Sequence, residues 1–171
     1  MDRILDCLII RQPFASLIAY GLKRWEFRSY NCKKRGLICI ASSRGPPFKT
    51  GSNHLNHVSK SFPRGSVLAT AVLEDSFLVT REELRNTLNQ EKAVCIHKHK
   101  LKVADTPLGE PIKDILSSVS DGKWSMYVWC LSNVNPLRKP IPLEGKSNGS
   151  SWTRVQLSET EPLSKNLEAY F

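Results

Sequence analysis

Between Arg11 and Arg28 the chain carries Gln12, Lys23 and Glu26, and with the two arginines these side chains suit a nucleotide ligand. Lysine and arginine can hold a phosphate, glutamate can accept from an exocyclic amine, and glutamine can pair with a base edge. Glu26 and Arg28 fall on one face of a strand, with Lys23 just ahead of it, so their heads can converge with Arg11 and Gln12 at the mouth of a cleft. Such convergence on an apolar scaffold is what a small-molecule or nucleotide pocket requires. Spacing alone favours a plainer arrangement, in which Glu26 merely neutralises Lys23 and Arg28 on a solvated face for at most about 1 kcal/mol.

Other groups could join such a site. An unstacked base needs an aromatic platform, and Trp25, Tyr30, Trp124 and Trp152 are the candidates, although alternation already explains Trp25 and Phe27 as core residues. Lys33, Lys34 and Arg35, with Arg44 and Lys49, form a second basic cluster, equally suited to phosphate contact or to a solvated loop. His54, His57, His97 and His99 make H-x-x-H and H-x-H pairs without an adjacent Cys or carboxylate constellation. They read as part of a basic surface, and neither a metal nor a cofactor is expected.

Short elements must position these groups. Cys7 to Ile10 is an uninterrupted apolar run, as in a strand buried on both faces. Pro13 then opens a short helix to Tyr20, with Phe14, Leu17 and Ile18 on one face and Gly21 as its left-handed cap. Trp25 and Phe27 alternate with Arg24, Glu26 and Arg28, which marks a strand with one apolar and one charged face. Leu37 to Ala41 and Ser66 to Val79 are further strands, separated by a Gly, Pro and Ser-rich stretch that could hold a helix around His54 to Ser59. Thr80 and Glu83 make a capping box for a helix to Asn89. Val94 to Val103 reads as one strand, Ala104 to Lys123 as loop and short helix, and Trp124 to Leu131, Ile141 to Leu143 and Ser151 to Leu157 as strands. About six or seven short strands at this spacing predict a small, partly closed barrel with flanking helices, an α+β arrangement.

Composition sets the outer bounds. The 171 residues suit one domain, and 40% hydrophobic with 24% charged residues is ordinary globular usage. A net charge of +9 should attract polyanions, nucleic acid first among them. The N-terminal apolar stretch is too short for a signal-peptide core or a membrane helix, so the chain is expected to be intracellular, cytoplasmic or nuclear, with no membrane partner. Cys7, Cys32, Cys39, Cys95 and Cys130 stand singly and are odd in number, which favours reduced, mostly buried thiols.

The segment CLIIRQPFASLIAYGLKRWEFR, Cys7 to Arg28, resembles the opening signature of the ASCH family, a branch of the PUA-like superfold. It joins a strand ending in Gln-Pro, a short helix and a G-x-K-x-x-E-x-R turn and strand, here Gly21, Lys23, Glu26 and Arg28. RGLICIASS at Arg35 to Ser43 resembles the family's third block, and YVWCLSNVNPLRKPIPLEGK at Tyr127 to Lys146 its closing strands. The resemblance implies a PUA-like mixed barrel over residues 1–158 with an insertion around 44–64, the variant of eukaryotic coactivators, and a tail at 159–171. The closing motif departs from the usual glycine, leucine, tryptophan, reading NGSSW at Asn148 to Trp152.

For function, the resemblance implies that the charged face lines a cleft binding RNA, or else DNA. Some small ASCH proteins are instead amidohydrolases that deacetylate modified cytidine. They use a lysine at the position of Lys23 with a threonine at that of Glu26, so here Lys23 would be the base and Glu26 the proton carrier. A third possibility is a scaffold in transcription or RNA processing, docking a protein partner through Leu163, Leu167, Tyr170 and Phe171 of the tail.

Overall fold

The computed structural model describes residues 3–50, 53–80, 82–83, 94–96, 99–101, 125–144 and 150–158. In chain order they form β1 (Arg3–Ile10), α1 (Phe14–Ala19), β2 (Trp25–Arg28), β3 (Gly36–Ser42), α2 (Asn53–Val58), β4 (Ser66–Thr80), β5 (Val94–Ile96), β6 (His99–Leu101), β7 (Ser125–Pro142) and β8 (Trp152–Leu157). Six strands make one mixed sheet in the order β2-β7-β4-β3-β1-β8, in which only β1 and β3 run parallel. β5 and β6 pair separately.

The apolar run of β1 is buried on both sides, as its pattern requires. Leu8 and Ile10 join Ile38, Ile40, Leu68, Trp129 and Leu131 in a core roofed by Ala15, Ile18 and Ala19 of α1. On the opposite face Cys7, Cys39 and Ala41 pack with Val67, Leu137 and Leu157. Cys7 and Cys39 are register partners across β1 and β3, and both are buried thiols outside any disulfide, as are Cys32 and Cys130. The hydrogen bond to Cys39, aided by burial, pushes the Cys7 thiol far up, so it behaves as core rather than as a nucleophile.

Three expectations are corrected. The sheet is not closed into a barrel: β2 and β8 remain its edges. A closing ladder would need two backbones about 4.8 Å apart. Side chains fill that seam instead, since Arg28 of β2 donates to the Ile9 carbonyl on β1 and to Ser151 just ahead of β8, and Trp129 stacks on Trp152.

The strands expected at Trp124 to Leu131 and Ile141 to Leu143 are parts of one long strand, β7, bent where Asn133 takes φ 45°. Its prolines are tolerated because β2 pairs with Tyr127 to Cys130 and Arg24 O accepts from the Leu131 amide, beyond which, among the described residues, β7 pairs with β4 alone. The run expected as one strand from Val94 folds back, with Ile96 opposite His99. No Gly, Pro or Asn punctuates it, so period-two alternation could not reveal the reversal.

Other expectations fall into place within a residue or two. The helix after Pro13 runs over Phe14–Ala19, and Gly21 takes φ 73°. The capping box is formed, with the Thr80 amide donating to Glu83 Oε2 at 2.8 Å and the Glu83 amide to Thr80 Oγ1 at 3.2 Å. The remainder of that helix, the 104–123 region and the 159–171 tail lie outside the described residues.

Candidate functional site

The end of α1 delivers Lys23. With Gly21 in the left-handed conformation its amide donates to Ile18 O at 2.9 Å, and the amides of Leu22 and Lys23 both reach Leu17 O at 2.9 and 3.0 Å. That cap turns the chain into β2, which pairs with β7 so that Glu26 faces Trp129 and Arg28 faces Tyr127. Trp25 goes to the other face, edge-on to Phe27 and Phe77, as alternation demands.

The three charged heads meet. The Lys23 ammonium lies 2.5 Å from Glu26 Oε2 and also donates to the Trp25 carbonyl, and Glu26 Oε1 is 3.1 Å from Arg28 Nε. The face they share is not the solvated one that alternation suggested: Lys23 is 3% and Glu26 7% exposed. Phe14 covers the lysine, its ring centroid 5.7 Å from Nζ. The buried Arg28 Nε has no hydrogen-bond partner, so its N–H is misdirected for the nearby carboxylate, and the contact is electrostatic rather than a directed bond. Arg28 is the most open of the three, with a fifth of its side chain exposed.

Burial lowers the Lys23 pKa below the usual 10.5; the Glu26 charge opposes the shift and the Arg28 charge adds to it. The unfolded chain therefore holds this proton where the folded chain gives it up, and stability at this site rises with pH as the lysine neutralises, until about 10.5. The melting difference between the native chain and Lys23→Met should thus move in favour of the native chain as the pH rises toward 10.5. A difference flat in pH would show that the lysine titrates normally.

Arg28 also borders an aromatic seam that closes the gap between the two ends of the sheet. Its guanidinium lies 5.7 Å from the Trp129 ring centroid, with Nη1 donating to Ser151 Oγ at 3.0 Å and Nη2 to Ile9 O at 3.1 Å. Trp129 stacks on Trp152 at 5.8 Å and 22°, and meets Tyr30 edge-on at 5.3 Å. The indole N–H of Trp129 donates to Tyr30 O at 3.2 Å. Trp129 is fully buried, Trp152 half-buried and Tyr30 43% exposed, so the outer members present apolar surface while the middle one holds them. Lys34 sits 5.3 Å from the Trp152 centroid and pairs with Asp6 at 2.6 Å. Cations over indoles are attracted by the ring quadrupole.

The remaining expected residues scatter. Gln12 is fully buried, its side chain donating to Ser16 Oγ and to Pro63 O at 2.7 Å and accepting from the Ser16 amide. It pins the 43–65 connection to α1 rather than joining the triad. Arg11 is exposed, donating to Pro46 O at 2.8 Å with its guanidinium over Phe48. Arg35 holds the Cys32 and Lys34 carbonyls and pairs with Asp75 at 3.1 Å, Arg44 donates to Leu143 O, and Lys33 is exposed. His54 and His57 are exposed on α2, and among the described residues no three His, Cys, Asp or Glu side chains gather as a metal set. The positions of Trp124 and His97, and the side chain of His99, lie outside the described residues.

Sequence reasoning did not place Trp129, Ser151, Phe14 or Asp6 at the site. The cross-strand register that opposes Trp129 to Glu26, and the curl that brings Ser151 to Arg28, leave no local signal.

An open mixed sheet with a short helix over one face, carrying its charged motif on the β2 edge, is compatible with a PUA-like fold. The chain belongs to the ASCH domain family, whose model matches residues 8–160. The fold is similar to that of a serine-to-alanine variant of ZmASCH from Zymomonas mobilis, with TM-score 0.50 and 18% identity over 81% of this chain and 73% of the other. A tyrosine-to-phenylalanine variant and the unmodified protein align at TM-score 0.48 and 18% identity, over 81% of this chain and 75% and 73% of theirs. No curated protein matches the chain. Among the described residues no helix is long and apolar enough to cross a membrane.

Proposed function

We propose that the chain is a nucleic-acid-binding module that takes single-stranded RNA along the seam of Arg28, Tyr30 and Trp152. The observation that carries this reading is the juxtaposition of a braced guanidinium with two partly open aromatic rings backed by Trp129. Splayed bases stack on such rings, and the phosphates between them meet Arg28 and Lys34. A guanidinium carries five N–H donors. Those of Arg28 that do not face Glu26, Ser151 and Ile9 are left for a ligand. Lys23 and Glu26, being buried, act as positioning residues for Arg28. The insertion expected at 44–64, here the connection carrying α2, is the feature on which we liken the chain to coactivator-type ASCH domains.

Titration with single-stranded RNA, duplex RNA and DNA at two salt concentrations tests the module. Single strands should bind best, and more weakly at higher salt. Trp152→Ala should lower single-strand affinity about tenfold, as loss of one stacked base does. Arg28→Lys should lower it comparably, since an ammonium keeps the charge but not the planar fork. Unchanged affinity in both variants, with both still folded, would reject the seam.

An amidohydrolase acting on acetylated cytidine is the second reading, favoured by the lowered pKa of Lys23 against a carboxylate at 2.5 Å. Phe14 would have to move for a substrate to reach the amine. Release of acetate from acetylated cytidine, abolished in Lys23→Met, would establish it.

A further inference from the structure

Part of the connection between β3 and β4 lines an open pocket of about 540 Å³, whose lining includes Phe48, Lys49, Asn56, His57, Ser59 and Lys60. Its volume falls in the range of small-molecule sites.

The frame is internally bonded. Asn56 Oδ1 accepts from the Thr50 amide at 2.7 Å, Asn56 Nδ2 donates to Thr50 O at 2.7 Å, and Ser59 Oγ donates to Asn56 O at 3.2 Å. The Phe48 amide donates to Gln12 O at 2.6 Å, and Gln12 holds Pro63 from the other side, so the loop is tied to α1 at both ends. A cavity whose walls already satisfy one another needs little reordering to receive a ligand.

The groups left over share one chemistry. The side chains of Lys49, His57 and Lys60 are exposed and make no hydrogen bond or ion pair with another described residue, and among the described residues no Asp or Glu lines the pocket. Phe48 is 40% exposed, leaning on Phe14 at 5.5 Å. Two lysines and an imidazole without a neighbouring carboxylate suit a phosphate, and a partly bare ring beside them suits a base.

We propose that this cavity is a second ligand site, for a nucleoside monophosphate or the phosphorylated terminal nucleotide of a strand. The phosphate lies among Lys49, His57 and Lys60 and the base lies against Phe48. The site shares no residue with the Arg28 seam and stands or falls separately from it.

Calorimetric titration of the full chain with adenosine monophosphate, adenosine and inorganic phosphate tests it. The monophosphate should bind about tenfold or more tighter than adenosine, because the charge-assisted bonds need the phosphate. It should also bind tighter than inorganic phosphate, by the about fivefold that Phe48→Ala removes. Lys49→Ala/Lys60→Ala should weaken the monophosphate about tenfold, while Trp152→Ala leaves it unchanged. A single-stranded oligonucleotide with and without a 5′ phosphate separates the sources: a preference for the phosphorylated end above that for free monophosphate assigns the site to strand termini, and the reverse assigns it to free nucleotide. Equal binding of adenosine and its monophosphate, or indifference to the double lysine substitution, would overturn the proposal.

Discussion

Glu26→Ala is expected to destabilise the domain by about 3–5 kcal/mol, the cost of leaving a buried charge without its partner. Lys23 is 3% exposed and sits beneath the Phe14 ring, with the Trp25 carbonyl as its one other acceptor among the described residues. Removing the carboxylate also sets Lys23 and Arg28 against each other without the anion between them. The melting temperature should fall by roughly 10 °C for a domain of this size. Lys23→Met/Glu26→Leu should be less destabilised than Glu26→Ala, because well-packed apolar replacements of a buried pair are often near neutral. Thermal and denaturant unfolding of the three proteins decide the matter. A Glu26→Ala protein as stable as the native one would mean that the pair is solvated after all.

Trp129→Ala should cost a further independent 3–5 kcal/mol, about what truncating a buried aromatic to alanine removes. The fully buried indole lies in the main core, stacks on Trp152, braces Tyr30 and underlies the Arg28 guanidinium. It touches no solvent and so would touch no ligand, yet single-strand affinity should fall by at least as much as in Trp152→Ala, about tenfold. The reason is positional: without the middle ring nothing fixes the spacing of the two outer ones. Binding measured well below the melting temperature separates the two effects. Full affinity in a folded Trp129→Ala protein would show that Tyr30 and Trp152 are not the platform.

These two expectations recast the charged motif. On an exposed strand face its ion pairs would contribute at most about 1 kcal/mol. In the structure they form a buried chain, Lys23 to Glu26 to Arg28, whose open end is the guanidinium. That arrangement serves two purposes at once, since the same Arg28 that faces the seam also ties β2 to β1 and to Ser151 where no ladder closes the sheet.

Much of the local architecture was legible in residue types. The apolar run at Cys7 to Ile10, the proline and glycine bracketing α1, the alternation of Trp25 and Phe27 and the Thr80–Glu83 capping box each follow from the backbone chemistry of a few neighbouring residues. The same is true of the family motif, which lies within one stretch from strand to strand. Tertiary structure alone decided that the charged face of β2 is dry as well as the apolar one, that the sheet stays open, that β7 is a single strand, and that Gln12 ties down the β3–β4 connection. Periodicity separates the two faces of a strand but does not say what covers each. The cover comes from Phe14, Trp129 and Ser151, brought together by register and curl across wide sequence separations.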